Sequence, residues 1–106
     1  MFVRNVSIKL KPDTSTEFAK TFESEILPLL RKQSGFQNEI TYSNDKTYVN
    51  AVSIWDSKQS ADTYDKNAYP QVLKAVEKFI DGEPKVRTGE VLSSTVASPA
   101  ATAHVA

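Results

Sequence analysis

The chain has 106 residues, which suits one domain burying well over half the surface of its unfolded form. Its 13 basic and 13 acidic residues balance and its lysines are scattered, so no basic stripe offers itself to nucleic acid or an anionic membrane surface. Cysteine is absent, which excludes disulfides, thiolate catalysis and Cys-based metal sites, and the one histidine, His104, sits in the tail, so no His-centred metal site is expected either.

Residues 2–11 alternate. Phe2, Val6, Ile8 and Leu10 share one parity, and Val3, Asn5, Ser7 and Lys9 share the other, which predicts a strand with one buried face. Met1-Phe2 leads straight into this strand, without the charged stretch and apolar run of a secretion signal, and no apolar run is long enough to span a bilayer. A soluble cytoplasmic protein is the expectation. Pro12-Asp13 ends the strand, and Thr14-Ser-Thr-Glu17 has the spacing of a capping box. Phe18, Phe22, Ile26 and Leu29 or Leu30 then form an apolar stripe at helical spacing, with Pro28 set to kink the helix and Gly35 to cap it.

Phe36 to Ser43 alternates again, with Phe36, Ile40 and Tyr42 on one parity. After the turn Asn44-Asp-Lys46, Thr47 to Trp55 completes a hairpin. Ser57 starts a helix with Ala61 and Tyr64 on its apolar side. Asn67-Ala-Tyr69 interrupts it, and Pro70 opens a second segment striped by Val72, Leu73, Val76, Phe79 and Ile80. Asp81-Gly-Glu-Pro84 stops that segment. Lys85 to about Val96 reads as a last strand with Val86 and Leu92 in the core.

The order β-α-β-β-α-β is the ferredoxin-like α+β unit, a four-stranded antiparallel sheet with its first and third strands central and helices on one face. The uncovered face is read as Val3, Asn5, Ser7, Gln37, Glu39, Thr41, Val49, Ala51, Ser53, Trp55, Arg87 and Val91. That mixture suits a homodimer interface around a partly polar cavity. Residues 1–95 form the domain. Residues 96–106 are a tail too poor in apolar groups for its own core, read as an arm on a partner subunit.

Leu27-Pro28-Leu29, Ser34-Gly-Phe36, Ile54-Trp55-Asp-Ser57 and Tyr69-Pro70, in this element order, resemble the antibiotic biosynthesis monooxygenase-like family of dimeric α+β barrels over residues 1 to about 95. The resemblance implies a homodimer with its sheets face to face and a pocket between sheet and helices in each subunit. Some members oxidise aromatic polyketides with oxygen and no cofactor, and others bind and degrade haem. The Asn expected four residues before the strand-end Trp is Ala51 here, and Asn50, five residues before Trp55, points to the other face. Ala61 and Ala75 stand near the places of the expected aromatic and arginine. In the haem-degrading branch the Asn matches Asn5, but the Trp and His positions fall on Tyr64 and near Lys74, which leaves haem iron without its usual ligand.

Three functions compete: a cofactor-independent monooxygenase acting on a small aromatic or quinol-type molecule, a non-catalytic dimer binding such a molecule, and a haem protein. For the first, Asn5, Trp55 and Arg87 are the catalytic candidates, with Arg87 binding an anion or enolate. Tyr64, Tyr69 and Ser53 are the substrate-binding candidates. No cofactor and no metal ligand set is assigned, and Glu39 and Glu90 show no spacing that demands acid–base work.

Overall fold

The computed structural model describes residues 1–96. The sheet has the order β2-β3-β1-β4, built from β1 (Phe2–Lys9), β2 (Phe36–Asn44), β3 (Tyr48–Trp55) and β4 (Lys85–Glu90), all antiparallel. The first and third strands are central, as their patterning predicts. The helical segments α1 (Ser15–Thr21), α2 (Leu27–Arg31), α3 (Lys58–Asn67) and α4 (Tyr69–Val76) lie against one face. No helix among the described residues is long and apolar enough to cross a membrane.

Pro28 acts before its own position. It has no N–H to offer the Ser24 carbonyl, and the ladder slips by one residue. Phe22–Ile26 becomes a π turn in which the Leu27 N–H bonds the Phe22 carbonyl. The stripe survives the slip, because Phe18, Phe22, Ile26 and Leu30 are all buried. The capping box does not form. Thr14 Oγ1 donates instead to the Lys11 carbonyl at 2.8 Å. Ser57 does cap α3, accepting from the Ser60 N–H.

The faces of β2 and β3 are the main correction. Residues directly opposite in an antiparallel ladder share a face. The register Phe2↔Trp55, Arg4↔Ser53, Val6↔Ala51 and Ile8↔Val49 therefore places Val49, Ala51, Ser53 and Trp55 under the helices, not on the uncovered face. Both parities of β3 are largely apolar, so its own alternation does not decide. In β2 a bulge between Phe36 and Asn38 reverses the parity. Phe36 packs inward, Ile40 and Tyr42 turn outward at 65% and 50% exposure, and Glu39 and Thr41 turn inward opposite Ser53 and Ala51. The uncovered face carries Val3, Asn5 and Ser7, with Asn50, Val52 and Ile54 from β3, Ile40 and Tyr42 from β2, and Arg87 from β4.

The last strand is shorter than expected. It ends at Glu90, Val86 is half exposed and Leu92 is 98% exposed, so neither belongs to the core. The arm expected over 96–106 falls, past Val96, outside the described residues.

One corner ties the sheet to the helices. Gly35 has φ +81° and its carbonyl accepts from the Asp56 N–H at 2.8 Å. A Cβ on Gly35 would overlap Ser60 Oγ and Asp56 Oδ1. Beside it, the Phe36 and Trp55 rings meet edge to face at 5.5 Å. The Ser-Gly-Phe and Trp-Asp-Ser runs are thus two sides of one contact. Gly82 also has a positive φ, but a Cβ there meets nothing. Gly35→Ala should therefore destabilise the fold by about 2–4 kcal/mol and Gly82→Ala by about 1 kcal/mol, read from denaturant midpoints. Equal losses would mean that the close approach at Gly35 does not matter.

Candidate functional site

An arginine sits on the core face of β1. Arg4 shares its parity with Phe2, Val6 and Ile8 and is 3% exposed. A buried guanidinium needs a counter-charge, and α3 supplies one: Arg4 Nη2 donates to Asp65 Oδ1 at 2.7 Å. The Arg4 Cζ also lies 3.9 Å from the centroid of the Tyr69 ring and 5.3 Å from that of Tyr64, both within cation–π range. The break between α3 and α4 at Ala68 brings these two tyrosines together, with ring centroids 6.2 Å apart.

Arg4, Ser53, Tyr64, Tyr69 and Glu39 border a space between sheet and helices whose remaining walls are apolar: Val6, Phe18, Phe22, Ile26, Val72 and Val76 among them. Its free volume is about 40 Å³, room for a few waters. A second space of about 350 Å³ adjoins it toward Ser15, Tyr42 and Val49 and shares Phe18, Phe22 and Glu39 with the first. Together the two spaces, which share these three residues, are the trough between sheet and helices.

Burial raises the Glu39 carboxyl above its ordinary value of 4.5, while the hydrogen bond from Thr41 Oγ1 works the other way. Burial also pushes the Tyr64 hydroxyl up to about 12 and raises that of Tyr69, with the Arg4 charge opposing both shifts. The trough thus holds two neutral phenols, one permanent cation and one carboxylate more basic than usual. Such a set can bind an oxyanion and accept a proton.

Of the six site residues expected from sequence, Ser53, Tyr64 and Tyr69 border the trough. Trp55 lies behind it. It is 0% exposed, its ring stacks on Tyr64 at 4.9 Å, and its Nε1–H donates to Ser53 Oγ at 2.9 Å. Asn5 and Arg87 are ladder partners on the opposite face, so the catalytic trio is not brought together. The haem-branch positions do not meet either: Asn5 is on the uncovered face, Tyr64 on the covered one, and Lys74 is exposed. These residues do not fit a haem site, and no cluster of three or more His, Asp or Glu gathers among the described residues.

Arg4 and Glu39 are the residues that sequence reasoning missed. For Arg4 there was a signal, since a charge on a strand's apolar parity is rarely accidental. For Glu39 there was none, because only the bulge turns it inward. Ala51, at the position of the expected Asn, does line the trough, while Asn50 bonds Ser7 on the other face.

No family model matches the chain, and no curated protein matches its sequence. Solved structures do. A protein of unknown function from Nitrosomonas europaea superposes with a TM-score of 0.78 at 15% identity, over 92% of this chain and 94% of that one. A putative antibiotic biosynthesis monooxygenase from Deinococcus radiodurans gives 0.73 at 11% identity, over 92% and 99%. A monooxygenase from Streptomyces coelicolor, solved with the ligand nanaomycin D, gives 0.73 at 17% identity, over 92% of each chain. The chain therefore has the fold of the antibiotic biosynthesis monooxygenase-like structures, a likeness that speaks for the fold.

Proposed function

We propose that the chain is a cofactor-independent, monooxygenase-like cytoplasmic protein, working as a homodimer, that oxidises a small aromatic or quinol-type molecule in the trough between sheet and helices. The observation that carries this reading is a buried guanidinium and a carboxylate of raised basicity bordering one apolar trough. The neighbours named as monooxygenases support it through the fold.

The chemistry needs only substrate and oxygen. The Glu39 carboxylate takes a proton from an acidic C–H of the substrate, and Arg4 stabilises the enolate left behind. The enolate gives an electron to oxygen and recombines with the superoxide formed, making a C–O bond. The peroxide takes up the proton and loses water, leaving a carbonyl. One oxygen atom ends in the product and one in water, so the electrons balance without a reductant. Apolar walls exclude water from the anion. Ser53, Tyr64 and Tyr69 shape the site, and Trp55 holds Tyr64 in place from behind. Asn5 and Arg87 belong to the subunit contact in this reading.

Support for a dimer comes from the uncovered face. Ile40, Tyr42 and Tyr48 are half or more exposed there or at its rim, and Asn5 Oδ1 is buried without a partner among the described residues. Sedimentation should show a dimer at micromolar concentration, and Ile40→Glu with Val52→Glu should shift it to monomer. A wild-type monomer would remove the dimer from the account.

Oxygen uptake with an anthrone as substrate should exceed the rate in buffer, and Glu39→Gln should lower kcat by about 100-fold or more. The rate should rise with pH through a midpoint above 4.5, a limb that Glu39→Gln lacks. No uptake above buffer would leave a binding protein rather than an enzyme.

The same carboxyl has a stability signature. Its folded-state pKa is raised, so its contribution to stability is complete at low pH and lost as pH rises through the folded value. Glu39→Gln should therefore raise Tm at neutral pH and gain less below 4.5. A variant less stable than wild type at neutral pH would contradict a desolvated Glu39.

A further inference from the structure

We infer that the trough takes an aromatic molecule carrying an ionised oxygen, a carboxylate or phenolate, which binds by replacing Asp65 on Arg4. The inference rests on reading the trough as the ligand site, though not on the oxidation.

Arg4 and its counter-ion are unequally buried. The Arg4 side chain is 3% exposed and that of Asp65 is 52% exposed. Arginine keeps its charge at any ordinary pH, so the charge stays in the trough whatever pairs with it. Asp65 can leave for water at little cost, because it is already half hydrated. The contact between them is also incomplete. One Nη2–Oδ1 bond holds the pair, and the fork geometry that makes arginine–carboxylate pairs strong is unused. A purely structural tie between β1 and α3 would gain from the two-bond arrangement.

The surroundings choose the ligand's other half. Phe18, Phe22 and Val72 offer apolar walls, and the Tyr69 ring already stacks on the guanidinium, giving a planar acid a surface continuous with its anchor. Glu39, held toward its neutral form by burial, opposes an anion less than an ordinary carboxylate would. A cationic ligand would face Arg4 at close range, and a neutral one would leave the Arg4–Asp65 pair intact.

The test titrates the full chain with salicylate and with salicylamide, its neutral counterpart, by calorimetry. Wild type should bind salicylate about tenfold more tightly than salicylamide, the scale of one charged hydrogen bond in a dry site. Arg4→Met should abolish the preference. Asp65→Asn, which keeps an acceptor oxygen for Arg4 while removing the charge, and whose folding is checked by circular dichroism, is expected to tighten salicylate about tenfold by removing the competing anion and to leave salicylamide unchanged. An Asp65→Asn variant that binds salicylate no better than wild type overturns the inference, even if Arg4→Met fails to fold. So does failure of wild type to bind either probe or to prefer the anion. Absence of oxygen uptake alongside the expected binding pattern would remove the oxidation alone. Uptake without the preference would remove this inference alone.

Discussion

Burying a guanidinium is the constraint from which the rest of the site follows. Taking an ion out of water costs several kcal/mol unless charge and hydrogen bonds replace the lost hydration. Arg4 shares the core face of the central strand with Phe2, Val6 and Ile8 and is 3% exposed, so bulk water does little of this. Its partners come from elsewhere in the chain: Asp65 from α3, and the Tyr64 and Tyr69 rings from either side of the helix break. An aliphatic residue at this position would need none of them. The fold therefore keeps a polar end in what would otherwise be a continuous core.

A second constraint sets what faces that end. The β2 bulge shifts the strand's parity by one residue, so that Glu39 points under the helices while Ile40 and Tyr42 point away. One irregularity thus does two things. It delivers a desolvated carboxyl to the trough and an apolar pair to the outer face. The helical side contributes a matching irregularity. The π turn forced by Pro28 carries Phe22 and Ile26, which wall the same space. Bulges and π turns disturb regular pairing; here the π turn carries residues of the cavity wall, and the bulge at the start of β2 sets which of the later residues face it.

The sequence shows the element order, the central strands and the Gly35–Trp55 corner clearly, because each depends on local signals: alternation, helical stripes, and Gly and Ser at fixed offsets. It hides the faces of β2 and β3. In β3 both parities are apolar, and register against β1 is a long-range property that no window contains. In β2 the early residues Phe36, Ile40 and Tyr42 suggest a single inward row, which the bulge breaks. The candidate residues divide along the same line. Tyr64 and Tyr69 are legible from the helix break. Asn5 and Arg87 both lie on the uncovered face expected of them, away from the trough, which is on the side with Arg4. Arg4 itself is visible as a charge in the apolar row of Phe2, Val6 and Ile8.

Arg4 is the anchor of the site and Asp65 its replaceable stand-in. A crystal structure of the chain grown with salicylate tests this most directly. The carboxylate should sit on the Arg4 fork, with the ring against Phe18 and Phe22 and Asp65 turned to solvent. An intact Arg4–Asp65 pair, with salicylate on the uncovered sheet face or bound nowhere, would contradict it.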